Sequence, residues 1–221
     1  MNLSKSMDFF DPTKVTEIIH IIGCGSVGSA VAELLARFGL RKFRLYDFDT
    51  VEEKNIANQM FFRKDIGKQK VDVVADMIRD INDEAEVEVI SDGWNGNRLN
   101  GYVFLCVDNI ELRKQIATAN KFNSNIKAMF DFRTGLTDAQ HFCADWRNPA
   151  QIRAFINSMN FTHEEAKEET PTSACGIVLG VAPTVRMIVN AGVSNFVNFV
   201  KGIENKKYIF IDAFTYYVEA F

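Results

Sequence analysis

A glycine-rich turn near the start of the chain constrains the fold more than any other feature of the sequence. The stretch "GCGSVG" has glycines at Gly23, Gly25 and Gly28, and it follows the short apolar run "EIIHII". Apolar residues then recur at the three- and four-residue spacing of a helix, and Gly39 lies where that helix would end. A buried strand that passes through a tight glycine turn into a helix predicts the first unit of a parallel α/β sheet.

The following residues repeat this alternation of strand and helix. "KFRLYDFD" alternates apolar and polar residues as a second strand, "EVEVI" is a third strand and "YVFLCV" a fourth. A helical pattern runs from Gly67 to Ile81, and the helical stretch "IELRKQIATA" follows the fourth strand. The alternation predicts an α/β fold with a Rossmann-like, mostly parallel sheet and helices on both faces.

After Lys121 the pattern becomes that of antiparallel strands. "IKAMFDF" and "AQHFCADW" lie close enough in sequence to pair, and "KYIFIDAF" and "YYVEAF" are strands near the end of the chain. Pro149 suits the first turn of a helix, and Thr162 with Glu165 predicts a capping box. A long helix is expected to fill much of residues 176–200. Antiparallel strands therefore extend the sheet in the C-terminal half.

Size and composition fit one globular domain. The chain has 221 residues, of which 47% are hydrophobic, and this is enough to bury a sizeable core. We predict a single domain over residues 1–221. Residues 15–120 would form its Rossmann-like nucleotide-binding half, and residues 121–221 a mixed or antiparallel extension with a C-terminal helix.

Charge, hydropathy and cysteine content predict which partners and which cellular compartment suit the protein. The net charge of −4 provides no basic field, so nucleic acid is not expected as a partner. The first residues lack a secretory signal, and Pro183, Arg186, Asn190 and Asn195 interrupt the most apolar late stretch, which predicts no membrane span. Four cysteines without a C-x-x-C pair argue against zinc and predict reduced thiols in the cytoplasm.

The glycine turn and the strand after it predict a nucleotide site. The N-terminus of the following helix presents amide groups and a positive dipole end to phosphate. Asp47 lies 22 residues beyond Gly25 (47 − 25), where a carboxylate binds ribose hydroxyls in such folds. These residues alone are as compatible with NAD as with any other nucleotide.

Residues beyond Asp47 favour ATP over NAD. Asn55 and Gln59 carry amide groups that can donate to phosphate oxygens, and Lys70 opens a helical pattern where its ammonium could meet phosphates. Asp108 follows the fourth strand, at the sheet edge where ligands bind, and a carboxylate there suits Mg²⁺. A nicotinamide enzyme needs neither the lysine nor the carboxylate at these places, whereas an ATP site needs both.

The order of these motifs resembles a known family. "GCGSVGS", "LYDFDTVEEKNIANQ", "DIGKQKV" and "CVDN" resemble the ThiF/MoeB/HesA adenylyltransferases, the bacterial branch of the ubiquitin-activating enzyme superfamily. "FDFRTG" and the stretch beginning "SACGIVLG" are looser matches, so the resemblance covers about residues 21–200. It implies ATP and Mg²⁺ as cofactors and transfer of AMP to the C-terminal carboxylate of a small ubiquitin-like or sulfur-carrier protein, with release of pyrophosphate. A Gly-Gly terminus on that acceptor and a homodimeric enzyme are also implied.

The resemblance assigns a role to each site residue. It implies a nucleotide turn at Gly23, Gly25, Ser26 and Gly28, ribose binding by Asp47, phosphate contacts by Asn55 and Lys70, and magnesium binding by Asp108 with Asn109 beside it. Gln59 is a candidate for nucleotide binding from its amide group. Lys70 and Asp108 are the residues expected to support catalysis. No side-chain base is needed, because a carboxylate is already ionised at neutral pH.

Three departures from the family pattern keep alternatives open. Asn58 stands where the pattern N-x-x-R-Q has arginine, and such an arginine can be worth about 10³-fold in phosphoryl transfer. Arg63 and Lys64 lie close by as substitutes. Many relatives carry an arginine in the N-terminal segment that reaches into a partner's site, whereas "MDFFDPTKV" offers only Lys14. The paired zinc cysteines of many relatives are also absent. The chain is therefore either an active enzyme or a nucleotide-binding scaffold or partner subunit that has lost adenylation.

A cysteine and two arginines are further candidates. Some relatives pass the activated acyl group to a cysteine, and Cys175 precedes the predicted long helix, whose N-terminus can lower a thiol pKa. No general base for Cys175 is identifiable, so it is a possible nucleophile or a small buried residue. Arg133 and Arg186 could bind the carboxylate of the acceptor, although the sequence favours an ordinary surface or packing role for each.

Overall fold

The computed structural model describes residues 1–162, 164–165, 172 and 179–221. Its strands are β1 (Ile19–Ile22), β2 (Lys42–Tyr46), β3 (Glu86–Ile90), β4 (Gly101–Leu105), β5 (Ile126–Thr134), β6 (Asp138–Asp145), β7 (Tyr208–Asp212) and β8 (Tyr217–Ala220). Its α-helices with described bounds are α1 (Ser26–Arg37), α2 (Lys70–Ile81), α3 (Ile110–Ala119), α4 (Pro149–Asn157) and α5 (Ala182–Lys201). Short 3₁₀ helices span Pro12–Lys14, Glu53–Ala57 and Arg63–Asp65.

All eight strands join one sheet in the order β3-β2-β1-β4-β5-β6-β7-β8. The first five strands of that order are parallel, and β6, β7 and β8 add to them in antiparallel fashion. Ile22 lies opposite both Tyr46 and Leu105, so β1, β2 and β4 end at one edge of the sheet. The predicted Rossmann-like sheet with an antiparallel extension is confirmed.

Helices cover both faces of this sheet. Helices α1, α2 and α5 pack on one face, where the aromatic rings of Phe104, Phe130 and Phe196 meet at centroid distances of 4.8 to 5.6 Å. Helices α3 and α4 pack on the other face, around Leu105 and Met129. Successive strand residues point to opposite faces, so the central strands β1 and β4, covered on both faces, are buried throughout and almost entirely apolar. Among the described residues, no helix combines the length and hydropathy needed to span a bilayer.

The helix signals of the C-terminal half are mostly confirmed. Pro149 opens α4, and Thr162 and Glu165 exchange both hydrogen bonds of a capping box, at 2.7 and 3.1 Å. The long helix expected to fill much of residues 176–200 spans Ala182–Lys201, and Pro183 lies in its first turn, where its missing N–H has no partner to lose. Residues 179–181 are not helical, and Cys175 lies outside the described residues.

His141 on β6 is fully buried and its protonation state follows from its neighbours. The Asn195 amide is oriented by Lys206, because its Oδ1 accepts from the Lys206 N–H at 2.7 Å and its Nδ2 donates to the Lys206 carbonyl at 2.8 Å. The same Nδ2 lies 3.2 Å from Nε2 of His141, so that ring nitrogen accepts. Nδ1 therefore carries the hydrogen and donates to the Asp131 carbonyl at 3.1 Å.

Acid should unfold the protein through its buried histidines. His20, on β1, is bonded to Tyr46 and Asn100, and burial lowers the pKa of both His20 and His141 from 6.5 to about 4. The unfolded chain therefore binds protons more readily than the folded protein. The contribution of the neutral histidines to the free energy of unfolding is fully present above pH 6.5 and is lost as the pH falls toward 4. We expect each histidine to cost about 2 kcal/mol of unfolding free energy between pH 7 and pH 4.5, measured by urea titration. A folded His141→Gln variant should show a shallower dependence, and equal stability at both pH values would contradict the prediction.

Candidate nucleotide-binding site

The glycine turn after β1 is held by close backbone packing. Gly23 has φ +94°, and a Cβ there would lie 2.8 Å from the Cys106 carbonyl and the Val107 nitrogen. A Cβ on Gly28 would lie 1.8 Å from the carbonyl oxygen of Gly23. Packing therefore accounts for two of the three glycines, because only residues without a Cβ allow α1 and the β4 end to approach the turn.

Packing does not account for the third glycine. The nearest atom to a Cβ on Gly25 would be Oε1 of Gln59, at 4.0 Å. Gly25 is the N-cap of α1 and Ser26 is its first residue, so the backbone here stands at the positive end of the helix dipole. This uncrowded glycine leaves room for a ligand to approach the amide groups of the turn.

Asp47 is bound to the glycine turn. Its Oδ2 accepts from the Cys24 N–H at 2.6 Å and its Oδ1 from the Asp49 N–H at 2.8 Å. Burial raises the pKa of Asp47, and the two amide bonds offset part of that rise. Each carboxylate oxygen keeps a lone pair, so the side chain fits the ribose role predicted for it.

Lys70 lies at the same edge and is oriented by a residue that the sequence did not single out. Its Nζ donates to Oδ2 of Asp49 at 2.7 Å, and its backbone N–H donates to the Asp49 carbonyl at 2.9 Å. The Lys70 side chain is 8% exposed, whereas that of Asp49 is 52% exposed. The one sequence feature that could have pointed to Asp49 is its position two residues after Asp47, at the same end of the second strand.

The amide residues of the "NIANQ" stretch have unequal roles. Asn55 is buried, and its Oδ1 accepts from the Glu52 N–H at 2.9 Å, which closes the 3₁₀ turn. Asn58 follows that turn, and its Nδ2 lies 3.6 Å from where a Cβ of Gly180 would be, beside the segment that enters α5. The phosphate role of Asn55 stays a prediction.

Two glutamine oxygens lack partners. Oε1 of Gln59 and Oε1 of Gln69 are buried and accept no hydrogen bond from any described residue. A buried acceptor without a donor is costly, so such atoms mark places where a ligand or water supplies one. Gln59 adjoins the glycine turn and Gln69 precedes Lys70, and a nucleotide carries hydroxyl and amino donors that fit them. Sequence reasoning missed Gln69, for which only its position beside Lys70 was a signal.

Asp108 and Asn109 follow β4 and lie next to the turn through Val107. Asp108 is exposed, whereas the side chain of Asn109 accepts from the Leu112 N–H at 2.9 Å and caps α3. Across the described ranges, no three His, Cys, Asp or Glu side chains form a metal cluster. Mg²⁺ at nucleotide sites is held by one or two carboxylates together with phosphates and waters, so Asp108 fits that role.

The other candidate residues are engaged elsewhere or point to solvent. Arg133 donates to Asp131 at 2.7 Å and to the Ser158 carbonyl at 2.7 Å. Arg63 is 84% exposed, and its nearest carboxylate is 3.8 Å away. Burial raises the pKa of Cys24 well above its usual range, so that thiol is not a nucleophile at neutral pH.

The strand order 3-2-1-4-5 and the glycine turn at its switch point define a Rossmann-like α/β protein. The profile of the ThiF family matches residues 15–220, so the chain belongs to the ThiF family.

Relatives with curated names are ubiquitin-like modifier-activating enzymes. The chain is 38% identical over 120 residues to ubiquitin-like modifier-activating enzyme 5 of Branchiostoma floridae, a match that covers 46% of this chain and 29% of that one. It is 26% identical over 213 residues to the Aedes aegypti protein of the same name, which covers 82% of this chain and 53% of that one. These matches span about half or less of the length of those relatives.

Solved structures share the fold. E. coli MccB crystallised with ATP has a TM-score of 0.67 and 18% identity, over 95% of this chain and 65% of that chain. PaaA has a TM-score of 0.69 and 16% identity, over 94% and 64% of the two chains. At these identities the likeness is one of fold.

Proposed function

We propose that the protein is an ATP-dependent adenylyltransferase that activates the C-terminal carboxylate of a small ubiquitin-like or sulfur-carrier protein. The observation that supports this most strongly is the convergence of an uncrowded glycine turn, Asp47, Lys70 and Asp108 at one edge of the sheet. A lysine and an exposed carboxylate beside a nucleotide turn suit a triphosphate better than a nicotinamide cofactor.

The chemistry requires charge compensation and alignment. An oxygen of the acceptor carboxylate attacks the α-phosphorus of ATP, the bond between the α- and β-phosphates breaks, and pyrophosphate leaves with that electron pair. Both reactants are anions, so the ammonium of Lys70 and the helix end at Ser26 offset their repulsion, while Asp47 holds the ribose. Mg²⁺ held by Asp108 would add positive charge at the phosphates.

The names of relatives support a protein or peptide acceptor. The curated relatives are ubiquitin-like modifier-activating enzymes, and E. coli MccB has been crystallised with MccA as well as with ATP. We extend this to an acceptor with a Gly-Gly terminus and to a homodimeric enzyme. Pyrophosphate exchange with truncated and intact acceptor tails checks the first point, and light scattering checks the second.

A nucleotide-binding scaffold is the second candidate, and Asn58 favours it. An uncharged amide replaces the family arginine, and the neighbouring Arg63 is 84% exposed and lies 3.8 Å from the carboxylate of Glu53. Without that charge the fold could bind ATP and fail to turn it over.

One assay separates these functions. Wild-type protein with Mg²⁺ and acceptor should exchange labelled pyrophosphate into ATP, and Asp108→Asn should lower that rate by about a hundredfold. Asp76→Asn, on the exposed face of α2, is the matched control and should leave the rate unchanged. ATP binding by calorimetry without exchange would identify the scaffold, and tighter binding of NAD(H) than of ATP would contradict both candidates.

A further inference from the structure

A buried arginine connects the loop that carries Asp108 to the centre of the sheet. Arg113, on α3, is 6% exposed, and its Nε donates to the Val107 carbonyl at 2.7 Å, with Nη2 donating to the same oxygen. Val107 directly precedes Asp108. The guanidinium therefore holds the main chain one residue before the predicted magnesium ligand.

The other side of the same guanidinium is anchored on β5. Its Nη1 donates to Oδ1 of Asp131 and to the carbonyl of Phe132, both at 2.5 Å. Asp131 is fully buried. Burial by itself raises the pKa of that carboxyl, but the guanidiniums of Arg113 and Arg133 lower the pKa by more, so that it lies below its ordinary value. The anchor is therefore a carboxylate, and its charge holds the guanidinium in place.

The anchor continues to a third element. Arg133 donates to Oδ2 of the same carboxylate at 2.7 Å and reaches Ser158, after the end of α4, with two further bonds at 2.7 and 2.8 Å. Asp131 thus lies between two arginines that point to different places, one to the nucleotide edge and the other to α4. Of these two arginines, it is Arg113 that hydrogen-bonds the Asp108 loop, through the Val107 carbonyl.

We infer that Arg113 is a positioning residue that fixes the main chain at Val107 and thereby aims the carboxylate of Asp108 at the nucleotide. Asn109 fixes the main chain on the other side of Asp108 by capping α3, since its side chain accepts from the Leu112 N–H at 2.9 Å. Asp108 stands exposed between two fixed neighbours. Burying a guanidinium costs desolvation free energy that packing contacts alone do not offset. Here the hydrogen bonds to Val107 and Phe132 and the ion pair with Asp131 offset it.

The inference rests on the proposed function only for the role of Asp108 in magnesium binding. The hold of Arg113 on the main chain at Val107 can therefore be tested without nucleotide. Arg113→Lys keeps a positive charge beside Asp131 but loses the planar fork whose spread donors reach Val107, Phe132 and Asp131 together. Arg133→Lys is the matched control, because it weakens the same carboxylate anchor without touching the loop. Urea titration first establishes that both variants are folded.

Hydrogen exchange by mass spectrometry then follows the peptide covering residues 105–112 in the nucleotide-free protein. Arg113→Lys should raise its exchange rate by about tenfold over the wild type, and Arg133→Lys should not. Asp131→Asn, which loosens the anchor of Arg113, should raise the rate by a smaller factor. Equal exchange in Arg113→Lys and Arg133→Lys, or no rise in either Arg113→Lys or Asp131→Asn, would overturn the inference.

A calorimetric arm connects this positioning to the ligand. Arg113→Lys should weaken ATP binding by about tenfold with Mg²⁺ present and leave ATP binding in EDTA unchanged, because only the metal-dependent contact uses Asp108. If the wild type binds no ATP, the proposed function fails while the exchange experiment still decides the role of Arg113. If exchange rises and the magnesium-dependent affinity is unaltered, the loop is held by Arg113 and the aiming of Asp108 is refuted.

Discussion

Replacing Lys70 by alanine should lower ATP-dependent pyrophosphate exchange by roughly a hundred- to a thousandfold. The Lys70 side chain is 8% exposed and its ammonium lies 2.7 Å from Asp49, so it is held at the sheet edge before any ligand arrives. A fixed charge of this kind opposes the repulsion between the triphosphate and the attacking carboxylate without further reorganisation. The measurement is exchange of labelled pyrophosphate with acceptor present.

The fold should survive this substitution. The Asp49 side chain is 52% exposed, so water replaces its lost partner, and we expect a stability change of about 1 kcal/mol or less. Lys68→Ala is the matched control, because Lys68 lies two residues away, is 56% exposed and bonds Asp65 instead. Exchange that persists in Lys70→Ala, or that falls equally in Lys68→Ala, would show that the phosphates bind elsewhere.

The substitution Gly28→Ala should destabilise the fold by about 3 kcal/mol, since overpacking of this severity cannot be relieved by a side-chain rotation. The added methyl carbon would lie 1.8 Å from the Gly23 carbonyl oxygen and 2.8 Å from its carbon, both of which are main-chain atoms. Helix α1 would have to move away from the turn. The free energy of unfolding from urea titration measures the effect.

Gly25→Ala is the matched control within the same motif. Its methyl carbon would meet nothing closer than 4.0 Å, so stability should change by less than about 1 kcal/mol. ATP affinity should nevertheless fall, because the methyl group would occupy the approach to the turn amides. Equal stability of the two alanine variants would contradict the claim that α1 packs on the turn too closely for a Cβ at position 28.

Local patterns were sufficient for the elements around the site. The helix predicted from "IELRKQIATA" is α3 with the same bounds, and the strands predicted from "EVEVI" and "IKAMFDF" are β3 and most of β5. Periodicity of apolar residues is a property of consecutive positions, so it can be read without knowing the partners. The start of α5 also has a local cause, because Pro183 suits the first turn of a helix.

The partners of the site residues required the packed structure. Asp49 lies 21 residues from Lys70 in sequence, and the Asp131 carboxylate lies 18 residues from Arg113. Nothing in the local pattern links such pairs, because they meet only when β2 meets the start of α2 and when α3 packs beside β5. The two unpartnered glutamine oxygens are likewise visible only after every neighbouring donor has been placed.

The α/β alternation, the glycine turn and the residue types suited to a nucleotide can be predicted from the sequence, since each depends on spacing along the chain. The folded structure was needed to show which glycines are required for packing, which residue orients Lys70 and what holds the loop of Asp108. Those are contacts between distant segments, and their geometry depends on how the helices settle on the sheet.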